Sequence, residues 1–113
     1  MTDCLFCKMV NKEIPTNIAY EDADIMAFHD IAPKAPVHIL IIPKKHLSDI
    51  SDMTEEDILL IGKIHYVAKQ LAQQFAIDQS GYRLVTNCKA DSGQEVFHLH
   101  FHLLGGERLG CFV

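Results

Sequence analysis

The sequence predicts an α+β domain, a mostly antiparallel five-stranded sheet with one long helix on one face and a short helix near the N-terminus. Two observations favour this class: short strand-like segments linked by turns outnumber helical ones, and only one stretch has the 3.6-residue periodicity of a long amphipathic helix. No repeat, linker or low-complexity tract divides the 113 residues, so we expect a single domain over residues 1–113.

The short elements are predicted from local signals. A helix is expected over Phe6–Asn11 and must end before Pro15, because a residue that precedes proline is driven out of the α region. Five segments have the β-branched composition or the alternation of strands. They are Ile18–Glu21, Ile25–His29, Val37–Ile42, Tyr82–Asn87 and Phe97–Leu104.

The long helix is predicted to begin at Thr54, because Asp57 follows three residues later as in a capping box. Apolar residues then recur at i, i+3 and i+4 spacing for roughly 20 residues. They are Ile58, Ile61, Ile64, Ala68, Leu71, Ala72 and Phe75. This face should cover one side of the sheet.

Composition excludes several classes of function. The net charge of −5 argues against a nucleic-acid polymer as partner, because such affinity depends on clustered Lys and Arg. No stretch approaches the roughly 18 consecutive apolar residues of a membrane span, and no signal-peptide pattern is found, so we expect no membrane partner and a cytoplasmic location. There the four cysteines would stay reduced, and a close pair would suggest metal or redox chemistry.

The strand Phe97–Leu104 carries the strongest functional signal. Because side chains alternate across a strand, His98, His100 and His102 should share one face. The opposite face would hold the apolar row Phe97, Leu99, Phe101 and Leu103. Three imidazoles on one face are poor core material and would repel one another if protonated.

Two kinds of chemistry fit this histidine row. The three imidazoles could bind a catalytic Zn²⁺ whose open position activates water, with Glu95 as base. Alternatively, one imidazole could act as nucleophile on phosphorus while its neighbours donate hydrogen bonds to the phosphate. The residues alone leave both open.

From Cys4 to Gly106 the sequence resembles the histidine-triad (HIT) family of nucleotide-binding proteins. The motifs that carry the resemblance are His98-Leu99-His100-Phe101-His102-Leu103-Leu104, Phe28-His29-Asp30-Ile31-Ala32-Pro33-Lys34-Ala35-Pro36, Val37-His38-Ile39-Leu40-Ile41-Ile42-Pro43-Lys44-Lys45-His46, and Asn87 with Gly93-Gln94. The resemblance implies a homodimeric hydrolase of purine nucleoside phosphoramidates, of the AMP-lysine or AMP-NH₂ kind, which forms a covalent nucleotidyl-histidine. It implies that catalysis requires no metal.

The resemblance also assigns roles to single residues. It makes His100 the nucleophile, His102 a donor to the phosphate oxygens, and His38 an accessory histidine that orients the catalytic imidazole. Asp30 matches the carboxylate that binds the ribose hydroxyls, although an aspartate before a proline-rich loop could equally cap a turn. The nucleotide-binding set implied is Asp30, Ile31, Asn87, Gly93, Gln94, Val96, His100 and His102.

A Cys-x-x-Cys pair at Cys4 and Cys7 is ambiguous by itself, since the spacing to later histidines does not fit a zinc finger and no βαβ pattern surrounds it. The family resemblance implies a structural Zn²⁺ site formed by these two cysteines with His46 and His98. The alternative is two reduced cysteines packed in the core.

Some choices stay open at this level. The protein could instead hydrolyse dinucleoside polyphosphates, or bind nucleotides as a regulator or scaffold with incidental catalysis. Glu95 stands where many family members carry a serine that helps the leaving group, which affects leaving-group preference. The resemblance also implies a dimer interface on the long helix and Tyr82–Asn87.

Overall fold

The computed structural model describes residues 4–111, so the two ends of the predicted domain, residues 1–3 and 112–113, lie outside the described residues. Within that range the elements follow the predicted order, and the α+β class is confirmed. The elements are α1 (Leu5–Val10), β1 (Ile18–Glu21), β2 (Ile25–His29), β3 (Val37–Pro43), α2 (Ile58–Gln74), β4 (Tyr82–Thr86) and β5 (Phe101–Gly105), with 3₁₀ turns at Ile50–Asp52, Glu55–Asp57 and Ala90–Ser92.

Within residues 4–111 the strands form one antiparallel sheet in the order β1-β2-β3-β5-β4. The first three strands are neighbours in sequence, whereas β5 inserts between β3 and β4. Consequently β3 and β5 lie inside the sheet with a hydrogen-bonded strand on each side, while β1 and β4 are edge strands. The strand that carries His102 is therefore held on both edges.

The sheet has two covered faces because successive side chains alternate along each strand. One face packs on α2 through the larger core. That core consists of Ile25, Ala27, Ile39, Ile41, Leu47, Ile64, Val67, Ala68, Leu71, Ala72, Ile77, Leu99, Phe101 and Leu103. The other face packs on α1 through a smaller cluster of Phe6, Met26, Phe28, Leu40 and Ile42. The histidines point to this second face.

The capping box predicted at Thr54 is present, but the long helix α2 begins one turn later than predicted. The Asp57 carboxylate accepts a hydrogen bond from the Thr54 backbone N–H at 2.9 Å, which forms the reciprocal part of the capping box. The first turn is 3₁₀, so α2 itself has 17 residues and begins at Ile58. The predicted apolar face included Ile58 and omitted Val67. In the structure Ile58 is exposed and Val67 is buried. No helix among the described residues has the length and hydropathy needed to cross a bilayer.

The last strand begins later than predicted. Pairing with both neighbours starts at Phe101, which lies opposite Ile41 of β3 and Thr86 of β4. The preceding residues are held by other bonds, among them the Leu99 N–H that donates to the Leu47 carbonyl at 2.6 Å. Phe97 was predicted to join the buried apolar row, but its side chain is 58% exposed because it lies before the sheet begins.

Candidate functional site

The site lies where β3 and β5 run side by side. In the antiparallel register Leu40 faces His102 and His38 faces Leu104, so His38 and His102 lie diagonally across the strand pair. His100 lies directly before β5 on the same side of the chain, and its ring centroid is 5.0 Å from that of His102. The sheet therefore brings three imidazoles from two distant segments together.

Hydrogen bonding fixes which nitrogen of His100 carries the proton. Its Nδ1 lies 2.7 Å from the carbonyl oxygen of His98, and a carbonyl can only accept, so Nδ1 is the protonated nitrogen. The Nε2 atom therefore keeps its lone pair. Burial lowers the pKa of His100 from its usual 6.5, with only 7% of the residue exposed. His100 is thus a neutral imidazole with a free nucleophilic nitrogen at neutral pH.

A chain of hydrogen bonds fixes His102 in the opposite tautomer. The Lys34 backbone N–H donates to Nδ1 of His38 at 3.0 Å, so the His38 proton is on Nε2. That Nε2 lies 2.9 Å from Nδ1 of His102 and donates to it. The proton of His102 must then be on its Nε2, where it is available as a donor. The site therefore pairs one nitrogen lone pair with one N–H donor.

Burial keeps these imidazoles uncharged. Burial, together with the neighbouring His100 and His38 rings, lowers the pKa of His102 to about 4. Burial is also the main cause that lowers the pKa of His38, and nearby Asp30 opposes it. A hydrogen-bonded network of neutral rings is consistent with both shifts.

A cavity of about 180 Å³ opens in front of His100 and His102. The lining includes every residue that the family resemblance assigned to nucleotide binding except Ile31. The lining residues are Phe6, Asp30, Leu40, Asn87, Gly93, Gln94, Glu95, Val96, His100 and His102. Gly93 has φ +88°, a left-handed conformation that glycine adopts without strain.

Asp30 and Ile31 sit at the end of β2. One oxygen of Asp30, Oδ1, accepts the Ala32 N–H at 2.8 Å, so the turn-capping role is present. The other, Oδ2, lies 3.5 Å from Nε2 of His38 and remains on the cavity side. Ile31 is 99% exposed beside it. Asp30 can therefore cap its turn and still offer a carboxylate oxygen.

Gln94 has a structural role that its sequence position did not reveal. Its side-chain oxygen accepts the Lys89 N–H at 2.7 Å, and its amide nitrogen donates to the carbonyls of Ser48 and Val96. Its own backbone N–H donates to the Lys89 carbonyl at 3.3 Å. Gln94 therefore braces the loop that forms one wall of the cavity.

A second cluster lies beside the first. Sγ of Cys4 is 3.3 Å from Nδ1 of His98, Sγ of Cys7 is 3.3 Å from Nδ1 of His46, and the two Nδ1 atoms are 3.1 Å apart. All four ligand atoms lie within 4.8 Å of one another. We call these four residues the Cys₂His₂ cluster. Cys4 is the N-cap of α1 and its sulfur accepts the Cys7 N–H, which explains how the x-x spacing aims both sulfurs at one point.

The Cys₂His₂ cluster fits a tetrahedral metal ion. With Zn–N about 2.0–2.1 Å and Zn–S about 2.3 Å, nitrogen ligands lie about 3.4 Å apart and nitrogen and sulfur about 3.6 Å. Nε2 of His98 lies 2.8 Å from the Pro43 carbonyl, so its Nδ1 carries the lone pair that a metal needs. Burial and the facing Cys4 thiol raise the pKa of Cys7 to about 11, so two thiolates there need a cation between them.

The three histidines of the motif do not converge on a common point. His98 directs Nδ1 toward Cys4, His100 directs Nδ1 to a backbone carbonyl, and Nδ1 of His102 is bound to His38. This arrangement disfavours a catalytic zinc ion held by three triad imidazoles.

Comparisons with known proteins identify the family of the chain. The HIT domain family model matches residues 11–109. The chain is a member of the HIT family. A purine nucleoside phosphoramidase of Escherichia coli strain K12 is 44% identical over 108 residues, which cover 96% of this chain and 91% of that protein.

Solved structures of HIT proteins superpose closely on the chain. A HIT family hydrolase from Clostridium thermocellum has a TM-score of 0.96 at 44% identity, and the alignment covers 100% of this chain and 98% of that protein. A HIT family hydrolase from Legionella pneumophila has a TM-score of 0.94 at 49% identity, with 96% of each chain covered. The HIT fold predicted from the sequence is confirmed.

Within this HIT fold the structure adds to the predicted site. His38 contacts His102, whereas the resemblance implied that it orients His100, and the group that contacts Nδ1 of His100 is the His98 carbonyl. Leu40 lines the cavity and could have been found, since it lies two residues after His38 on one strand face. Phe6 also lines it, but no local signal connects a residue between two cysteines with a strand more than ninety residues later.

Proposed function

We propose that the protein is a hydrolase that cleaves purine nucleoside phosphoramidates through a covalent nucleotidyl-histidine at His100. One observation carries the proposal. His100 has its Nδ1 tied to a carbonyl and its Nε2 free, and the neighbouring His102 is fixed as a donor beside the same cavity. A nucleophile and a hydrogen-bond donor side by side are what attack on a phosphorus atom requires.

The reaction proceeds in two displacements. The lone pair on Nε2 of His100 attacks the α-phosphorus and forms a P–N bond to the histidine. The original P–N bond breaks, and the amine leaves with a proton supplied by Glu95 or by water. His102 donates from Nε2 to a non-bridging phosphate oxygen and stabilises the charge that develops there. Water then attacks the phosphorus, which releases the nucleoside monophosphate and restores neutral His100.

The remaining cavity residues would hold the nucleotide. Oδ2 of Asp30 can accept hydrogen bonds from the ribose hydroxyls, and exposed Ile31 offers an apolar surface for the purine. Asn87 and the left-handed turn at Gly93 stand where phosphate oxygens approach, together with the backbone at Val96. The substrate in this proposal is a mononucleotide derivative, which agrees with the net charge of −5.

For the Cys₂His₂ cluster we propose a structural zinc ion. Two thiolates and two imidazoles form the donor set that zinc prefers, and a closed tetrahedral site contributes directly to folding free energy. The ion takes no part in the displacements proposed above. Reduced thiols at Cys4 and Cys7 suit the cytoplasm, where we place the protein.

We also propose a homodimer through α2 and β4. Among residues 4–111, β4 is an edge strand that pairs only with β5. Tyr82 on that strand and Ile58, Leu59 and Tyr66 on α2 are exposed. Light scattering on purified protein tests this, and a monomer at micromolar concentration would contradict it.

Substrate turnover tests the proposed activity. Purified protein would be assayed against an adenosine phosphoramidate, a diadenosine polyphosphate and AMP, with nucleotide binding measured in parallel. We expect the phosphoramidate to be turned over fastest. Preference for the diadenosine compound would indicate a dinucleoside polyphosphate hydrolase, and nucleotide binding without turnover would indicate a regulator or scaffold.

A further inference from the structure

The buried residue His98 connects the Cys₂His₂ cluster to the imidazoles beside the cavity. The side chain of His98 faces Cys4 through Nδ1 and the Pro43 carbonyl through Nε2, at 3.3 and 2.8 Å. Its own backbone carbonyl accepts the His100 Nδ1–H at 2.7 Å. His98 is completely buried, so it cannot shift without moving its neighbours. Side chain and main chain of His98 therefore join the Cys₂His₂ cluster to the nucleophile.

Phe6 makes a second connection between the clusters. It lies on α1 between the two cysteines, and its ring packs edge-on against the rings of His98 and His100, with centroids 5.9 and 5.2 Å apart. The same ring lines the cavity. A six-residue helix is too short to be stable alone, so the position of α1 depends on the contacts that anchor it.

We propose that a metal ion in the Cys₂His₂ cluster controls nucleotide binding in the adjacent cavity. Metal binding would anchor α1, so that Phe6 closes one wall, and would hold the His98 carbonyl against His100. This inference rests on the proposed function, because it takes a nucleoside monophosphate as the cavity's ligand. It goes further, since a metal with a purely structural role leaves the nucleotide affinity of folded molecules unchanged.

Linkage allows the coupling to be measured from both sides. If the metal raises nucleotide affinity by some factor, the nucleotide must raise metal affinity by the same factor. We expect a factor of about ten, within the range that coupled sites typically show. The path between the Cys₂His₂ cluster and the cavity is short, because His98 faces Cys4 with its side chain and accepts a hydrogen bond from His100 at its carbonyl.

The experiment uses AMP as nucleotide and zinc as metal. AMP would be titrated calorimetrically into zinc-loaded and zinc-depleted wild-type protein, with circular dichroism confirming that both are folded. Zinc affinity would be measured by chelator competition with and without saturating AMP. Cys4→Ser should weaken both affinities, while Cys111→Ser, which alters an exposed cysteine outside the cluster, should match wild type.

The expected result is about tenfold weaker AMP binding without zinc and about tenfold weaker zinc binding without AMP. Equal AMP affinities, or a zinc affinity indifferent to AMP, would overturn the coupling while the proposed activity stands. If the depleted protein does not fold, the zinc measurement decides alone. Failure of zinc-loaded protein to bind AMP would refute the proposed function and the coupling with it.

A second variant tests the path through α1. Phe6→Leu keeps the four metal ligands but removes the aromatic edge that contacts His98 and His100. We expect it to bind zinc normally and to show a smaller coupling factor. An undiminished factor would overturn the role assigned to Phe6.

Discussion

Replacing His38 tests the hydrogen-bond chain that sets the tautomer of His102. An asparagine at this position can still accept the Lys34 N–H, because its Oδ1 lies where Nδ1 of the imidazole was, but it cannot reach His102. A glutamine extends one atom further and can place its N–H near the position of the imidazole Nε2. His38→Asn therefore removes the donor to His102, whereas His38→Gln is the matched control that can retain it.

The size of the effect follows from the structure. The His38–His102 bond is 2.9 Å long and His38 is buried, so water does not readily replace it. Loss of one positioned donor to a developing negative charge typically lowers kcat by about 10²- to 10³-fold. Because His102 can still adopt the right tautomer part of the time, we expect the lower end, about 100-fold for His38→Asn. We expect less than about tenfold for His38→Gln.

Steady-state kinetics on a nucleoside phosphoramidate would measure kcat, and ¹⁵N chemical shifts would show which nitrogen of His102 carries the proton. The shifts should place the proton on Nε2 in wild type and in His38→Gln, and distribute it over both nitrogens in His38→Asn. Wild-type kcat in His38→Asn, or equal losses of activity in the two variants, would refute the role assigned to the His38–His102 hydrogen bond. Equal losses would mean that His38 acts through packing alone.

Four further predictions follow. Replacing His100 with Ala should lower turnover by several orders of magnitude with AMP affinity largely retained, and a rate above about a tenth of wild type would remove it as nucleophile. Protein purified without chelator should contain about one zinc per chain, and Cys7→Ser should lower Tm because the site contributes to folding. The free energy of unfolding should fall as the pH drops from 6.5 toward 4, because His102 binds a proton near pH 6.5 in the unfolded chain but only near its pKa of about 4 in the folded protein. Denaturant titrations should show a shallower fall for His102→Asn. Glu95→Ser should make the rate less dependent on low pH, because a carboxylate can donate a proton to the leaving amine only when it is protonated. Superimposable pH–rate profiles of the two forms would exclude Glu95 from catalysis.

Local patterns predicted the elements and the residue types of the site. Alternation along Phe97–Leu104 predicted a shared face for the three histidines, and the ring contacts of Phe6 with His98 and His100 and of His100 with His102 agree with it. Strand pairing begins only at Phe101, because alternation also occurs in extended chain outside a sheet. The capping box at Thr54 was likewise readable, since all of its atoms lie within one turn. Signals confined to a few residues were therefore sufficient for both.

The partner of each histidine could not be predicted in the same way. That His38 contacts His102 depends on the register between β3 and β5, strands separated by about sixty residues, and a shift of two positions would place it elsewhere. The Cys₂His₂ cluster required comparison with a family for the same reason. Its four ligands come from three separate segments, and the only local signal was the Cys-x-x-Cys spacing.

Identical residues at alternate positions of one segment, of which only His102 lies within β5, have three different hydrogen-bonding states because each has a different partner. His98 gives Nε2–H to the Pro43 carbonyl and is left with a ligand lone pair on Nδ1. His100 gives Nδ1–H to a carbonyl and is left with a nucleophilic Nε2. His102 accepts at Nδ1 from His38 and is left with a donor at Nε2. The motif therefore sets the spacing, while carbonyls and one further histidine decide which ring nitrogen carries the proton and which keeps a lone pair. These states support the ligand, nucleophile and donor roles proposed for His98, His100 and His102.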